Sequence, residues 1–460
     1  MIGFSADGAS VNLGKNTGVA AKLKEDAPWL IDIHCLAHRL ELAFLELQRY
    51  CASVEKIYEV LHLTWKTYHF SPKSTRELKA LADTMGINVL KPGQVTGTRW
   101  LPHVSRALKS LIKPPKGDHH NDPSQYAAVL QHMEHLASTS QKADIKGRAK
   151  YIAAAMKDIH FLAFCHFLVD LFSILETVSL RFQQNDLILP SAVSLLRETY
   201  AKVSLLPKRA APGGWLESFE KLVKKGDDKA LFQGVTVARS RQQKRGKESS
   251  DLQSEMEVAV KLCKQGLQER FTNLLGASSE KPNKEKSTAS SIVYDMLVFN
   301  VDAWPNDMDS LVDFGSDEVA HLVTWFRPVL ESGGCRVEAV SREWESLKVM
   351  VKTHFQDMAY SRLWSTMLTK DPYKSDYENV LHLVVLLLVL PISSTQCERA
   401  FSTQYRIKSA TRSCLETETI EDLIRISSQG PPMAEFVSSQ AVELWFSTGQ
   451  RPRRPFFKDQ

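Results

Sequence analysis

Apolar residues recur at three- and four-residue intervals along most of this chain, which predicts a largely helical protein. The clearest series is Leu40, Phe44, Leu47, Cys51, Val54, Tyr58 and Leu61, one face of an amphipathic helix that continues towards Phe70 and stops at Ser71-Pro72. Two short stretches near the amino terminus break the helical period. Residues 1–6, with Ile2 and Phe4 on one face, and residues 29–34, rich in β-branched and aromatic side chains, read as strands. Each leads into a helix, the first loosened by Gly14, Asn16 and Gly18. The unit predicted is strand–helix–strand–helix.

Beyond it, a short helix over 75–85, a loop over 93–99 and a helix from Trp100 are followed by almost purely helical periodicity to about Lys370. Breaks fall at Pro114-Pro115, at 207–214 and at 276–291, the last a polar, low-complexity stretch. Residues 158–180 are apolar over a long distance but contain His160, His166, Asp170 and Glu176, so they read as a buried helix of a soluble protein. The most apolar segment, 380–390, ends sharply at Pro391, because proline lacks an N–H and biases its predecessor away from helix. A Ser393-Ser394-Thr395 cluster then opens a new helix with the spacing of a capping box, Thr395-Gln-Cys-Glu398. Cys397, Phe401, Tyr405 and Lys408 lie at helical spacing along it. Weaker helices follow at 416–427 and 433–446, then a basic tail.

The fold class expected is therefore mostly α with a small α/β part. That part, at 1–110, is interrupted by an all-α insertion at 111–370 with flexible linkers near 207–214 and 276–291. Helices at 371–450 complete it, and 451–460 form the tail.

Composition narrows the function classes. With 460 residues and 43% hydrophobic content the chain can bury real cores. A net charge of +5 permits contact with a polyanion only where the basic residues cluster. Seven scattered cysteines read as free thiols in a reducing compartment, and no signal peptide or membrane span is expected. Nucleophile-elbow, kinase, P-loop and dinucleotide fingerprints are not seen.

Four constellations carry candidate chemistry. Asp7 ends a strand and is followed by Gly8, a placement that suits a metal-binding carboxylate or simply a helix N-cap. Cys35 and His38 offer two zinc ligands, but a structural zinc needs four and no second pair of good spacing exists, so a polar strand-to-helix junction is the preferred reading. Arg99-Trp100 could stack on a base or pack in a core, with packing the default. Two basic clusters, Arg239, Arg241, Lys244, Arg245 and Lys247, and Arg451, Arg453 and Arg454, are dense enough to touch phosphates or to be solvated loops.

The order of these features resembles the hAT superfamily of DNA transposases: Asp-Gly-Ala, then Cys-Leu-Ala-His, then Arg-Trp, a long helical region, and Ser-Ser-Thr-Gln-Cys-Glu-Arg-Ala-Phe-Ser ending at Ser402. The last block looks like that family's carboxy-terminal dimerisation region, with Glu398, Arg399, Phe401 and Ser402 as its hallmark. The resemblance implies an RNase H-like core split by an all-α insertion, with three carboxylates holding Mg2+ or Mn2+ for phosphodiester chemistry. By that match Asp7 is the second acid and Glu398 the third, and these two would be the metal ligands if an active site formed. Cys35 and His38 match a motif near the site, and Trp100 a residue that stacks near the cleaved DNA end. The first acid and a zinc-finger module would lie upstream of Met1, so the chain is expected to be an amino-terminally truncated core, without transposase activity and without a cofactor.

The favoured expectation is a nuclear, transposase-derived protein that forms homo-oligomers, dimers or larger, through 381–401, 420–426 and 442–446, with DNA a candidate partner and neither a membrane nor a small-molecule cofactor involved. The alternatives are a metal-dependent recombinase represented by an incomplete chain, and a helical nucleic-acid-binding scaffold.

Overall fold

The structure, a computed structural model, describes residues 1–95, 100–115, 122–184, 186–223, 228–239, 251–275, 289–355 and 358–447. It is mostly helical and divides into two compact units, Met1–Ser394 and Thr395–Gln460.

The first unit opens with strand β1 (Gly3–Ala6), helix α1 (Val19–Asp26) and strand β2 (Ile31–His34). β1 and β2 pair in parallel, Gly3 opposite Ile31 and Ala6 opposite His34. Parallel neighbours need a crossover, and residues 7–30 with α1 supply it. Ile31 and Ile33 point into the core, and helix α2 (Leu36–Tyr50) follows at once. Gly3 has no room for a side chain: a Cβ there would lie 2.6 Å from Pro391 Cδ. The Leu36 amide donates to the Ile392 carbonyl (3.1 Å), and the Ser394 amide donates to the buried Cys35 sulfur (3.3 Å). The proline turn at 391–394 is thus built into the end of the two-stranded sheet.

Helix α2 buries Leu36, Leu40, Ala43, Phe44 and Leu47, and helix α3 (Ala52–His69) buries Val54, Ile57, Val60, Leu61 and Tyr68. Helix α4 (Ile159–Arg181) is apolar around its whole circumference. It is long and apolar enough by length and composition to cross a membrane, yet 78% of its most apolar window is buried inside the fold, as expected of a central core helix. Helix α5 (Leu189–Leu205) and helix α6 (Trp215–Leu222) pack on it.

Two expectations for the middle of the chain are corrected. The insertion is not all-helical: strands β3 (Lys229–Phe232) and β4 (Val235–Ala238) form an antiparallel hairpin. Its two-residue turn, Gln233-Gly234, has positive φ at both positions, which matches the twist of the flanking strands. Gln233 tolerates that conformation because its side chain is buried and bonded: it accepts from Ser124 Oγ, and its Nε2 donates to the Ile112 carbonyl at 3.0 Å. Phe232 packs edge-on against Tyr126, His166 and Phe219. The break at 207–214 is not a loose linker. The buried Asp170 of α4 accepts from the backbone amides of Trp215 (2.8 Å) and Leu216 (3.0 Å), placing a carboxylate on the α6 N-terminus.

Helix α7 (Leu252–Arg270) crosses α2 closely, with Gly266 against Ala43. Helix α8 (Ser316–Ser332), helix α9 (Val340–His354) and helix α10 (Glu378–Leu388) form a further layer. Lys348 of α9 is fully buried; its Nζ donates to the Val312 and Phe314 carbonyls, both at 2.7 Å, and sits 5.2 Å from the Trp344 ring centre. Glu343 accepts from the amides of Asn379 (2.8 Å) and Val380 (2.9 Å), capping α10 from α9. Val380, Leu381, Leu383, Val384, Leu386 and Leu387 of α10 are buried inside this unit. Within 381–390, Val385 and Val389 are the apolar side chains left exposed.

The second unit holds helix α11 (Thr395–Ile407), helix α12 (Thr417–Gln429) and helix α13 (Ser438–Ser447). The last helix starts later than the sequence pattern suggests, well after Pro431-Pro432, leaving Met433, Phe436 and Val437 on non-regular backbone.

Candidate functional site

The sheet edge brings together Asp7, His34 and His38. Asp7 lies just past β1; its Oδ1 accepts from Asn12 Nδ2 (2.8 Å) and from the Ala9 amide (3.3 Å). That local side-chain bond from Asn12 is the main reason its carboxyl is held below the usual range, with the Ala9 amide and the charges of His38 and His34 adding to it. His34 ends β2, and His38 follows one turn later, their ring centres 5.4 Å apart. Gly8 lies close against His34, since a Cβ there would come within 2.7 Å of the ring. Burial first, then the neighbouring His38, Arg39 and Arg270, push His34 down to about 4, so its imidazole is neutral at physiological pH.

This cluster does not fit a two-metal phosphodiester site. Such a site needs converging carboxylates, whereas here one carboxylate already caps a turn and its neighbours are a neutral imidazole and a second ring tilted beside it. Among the described residues, no group of three His, Cys, Asp or Glu side chains is placed to hold a metal ion.

Cys35 is buried, and its sulfur bonds the Ser394 amide and lies 3.7 Å from Ser393 Oγ. The Cys35–His38 pair therefore serves a strand-to-helix junction: Cys35 pins the proline turn while His38 lies against His34. Trp100 is buried at the start of its helix, edge-on to Phe172 with ring centres 5.6 Å apart, and is covered from any base. Packing is the role the geometry gives it.

Glu398, Arg399, Phe401 and Ser402 lie in the first two turns of α11, and all four side chains are exposed. Phe401 is 61% exposed and Tyr405, one turn further, 81%. Further apolar side chains of this unit, Ile426, Met433, Phe436, Val437 and Val442, are exposed as well. Among the described residues of this unit, Ile420 is the one apolar side chain that is buried. Soluble proteins rarely leave so many large apolar groups on so short a segment without a use for them.

Of the basic clusters, Arg239 is exposed and its backbone amide donates to the Asp228 carbonyl. Arg99, Arg241, Lys244, Arg245, Lys247, Arg451, Arg453 and Arg454 lie outside the described residues, as does most of 276–291.

Comparison with known proteins bears on the carboxy-terminal part. No solved structure matches the chain. Residues 344–429 match the family model of the hAT family C-terminal dimerisation region, a stretch that runs from the buried Trp344 of α9, through α10 and the proline turn, to the end of α12. That match supports a relation of this part of the chain to the hAT family of transposase-derived proteins.

Proposed function

We propose that this protein is a transposase-derived, self-associating nuclear protein whose carboxy-terminal helices bind a second copy of the chain. The observation that carries the reading is the exposed face of α11 and the residues after it, set within and just beyond the dimerisation-region match. A two-fold dimer lets one such face cover its own equivalent, so a single apolar surface suffices. The parallel β1–α1–β2 unit leading into α2 is compatible with part of an RNase H-like core. In this reading the core is a scaffold without catalytic activity, with Asp7 engaged by Asn12 and the Ala9 amide and Glu398 a surface residue of the dimerising helix. DNA association, through the basic runs at 239–247 and 451–458, is the second element of the proposal.

Light scattering of the purified chain at micromolar concentration tests the first element, with a dimer or larger species expected and a monomer refuting it. Incubation with supercoiled DNA and Mg2+ or Mn2+ tests the second. Retention without cleavage is expected, and cleavage lost in Glu398→Ala would restore an enzymatic role.

A further inference from the structure

Away from the sheet and within the first unit, a groove of about 430 Å3 runs between α5 and α7. Its walls carry Lys208, just after α5, and Lys261 and Lys264 of α7, with Tyr200, Gln268 and the lone carboxylate of Glu257. Both ends of the groove are tied across the helices. Gln253 Nε2 donates to the Pro207 carbonyl (2.6 Å) and to Glu257 (2.9 Å) at one end, and Gln268 Nε2 donates to the Tyr200 hydroxyl (3.0 Å) at the other. Lys264 is held in place over the Tyr200 ring, 4.7 Å from its centre.

Other lysines of this unit are paired with carboxylates one turn away. Lys202 pairs with Glu198 and Lys221 with Glu217. No such pair forms at Lys208, Lys261 or Lys264 among the described residues, and the single nearby carboxylate is already engaged by Gln253. Three ammonium groups against one carboxylate leave an anion-attracting groove. Their arrangement also selects the kind of anion. Lys261 and Lys264 stand about one helical turn apart along α7 and Lys208 on the opposite wall, whereas a single phosphate is better gripped by a planar arginine fork or converging amides. Spaced point charges along a groove match spaced phosphates.

We propose that this groove binds the sugar–phosphate backbone of a nucleic-acid strand, without sequence preference, through Lys208, Lys261 and Lys264. This rests on the DNA association proposed above and assigns it residues other than the basic runs at 239–247 and 451–458. The groove supplies charge and position and no base-edge readout.

The test is fluorescence anisotropy of a labelled oligothymidine with the full chain across a series of salt concentrations. Three phosphate contacts contribute about 2 to the slope of log affinity against log salt, at roughly 0.7 each for a single strand. The combined substitution Lys208→Gln, Lys261→Gln and Lys264→Gln is expected to make the slope shallower by about that much and to weaken binding roughly tenfold or more. Lys261→Gln alone, at an exposed position, should remove about a third of the effect with an unchanged thermal melt. A parallel variant neutralising Arg241, Lys244, Arg245 and Lys247 should leave the groove's share of the slope in place. If the wild-type chain binds no DNA, the association and the groove fail together. If it binds and the triple variant matches it, the groove alone is refuted. Displacement of the strand by equimolar inorganic phosphate would also refute it, reducing the groove to a single-phosphate site.

Discussion

Replacing Phe401 and Tyr405 together by serine should dissociate the protein without unfolding it. The two rings are 61% and 81% exposed, and a ring of this size offers about 200 Å2, so each copy presents about 280 Å2 of aromatic surface at these two positions. At about 25 cal/mol per Å2 that is a nominal 7 kcal/mol per copy, or about 14 across a two-fold dimer, an upper bound because association also costs orientational freedom and side-chain entropy. If only a quarter of that area is buried by the partner, the pair still contributes about 3.5 kcal/mol, and its removal weakens the dimer roughly 300-fold. Sedimentation velocity over a micromolar dilution series reads this directly as a shift from dimer to monomer. At dilutions where both forms are monomeric the thermal melt should not differ, since neither ring is part of the monomer's core. Val389→Ser serves as the control: Val389 is exposed at the end of α10 but lies outside the second unit, and dimerisation should survive it. An unchanged dissociation constant in the double variant, or dissociation by Val389→Ser instead, would show that the face is wrongly placed.

Two further outcomes probe the first unit. Lys348→Met keeps the buried stem but strips the Val312 and Phe314 carbonyls of their donor; two bonds to a charged group are lost against a relieved burial of charge, so a net loss of about 1–3 kcal/mol is expected in a denaturant melt. Asp170 is pushed above the usual carboxylate range by burial, partly offset by the Leu216 and Trp215 amides. A carboxyl raised in the folded state stabilises below its unfolded pKa and loses that contribution as pH rises through the folded one. The stability gap between wild type and Asp170→Asn should accordingly be widest at and below pH 3.8 and narrow as pH rises beyond it; a gap that is constant or widens with pH in urea melts would reverse the assignment.

What the sequence makes legible follows from where the physics is local. The period of Leu40, Phe44 and Leu47 is set by neighbours on α2, and the structure buries all three, whereas the single helix expected to run on to Phe70 is broken at Cys51, whose extended backbone separates α2 from α3. The strands at 3–6 and 31–34 and the stop at Pro391 rest on equally local chemistry. The hairpin at 229–238 escapes such reasoning because Gln233-Gly234 is a weak turn signal: glutamine adopts positive φ only where tertiary bonds to Ser124 and Ile112 hold it there. Likewise nothing in residues 207–214 reports that Asp170, far upstream, anchors the turn that follows. Composition ranks 380–390 as the most apolar segment, but does not say whether its leucines face the same molecule or another.

That last distinction changes what the dimerisation region is. Its match begins in α9 and α10, where Trp344, Leu347, Leu381, Leu383 and Val384 are core residues of the first unit. It ends in α11 and α12, where apolar side chains are exposed. The conspicuous hydrophobicity of α10 thus goes into the core of the first unit, ahead of the proline turn that Cys35 and Leu36 fix against the sheet, and in the reading proposed above it is the less apolar α11 that offers surface to a partner. Burial within one chain and burial between chains draw on the same hydrophobic energy, so the segment with the larger apolar content is the one folding consumes first. The surface left over is what association can use, and in the proposed reading it starts at Phe401.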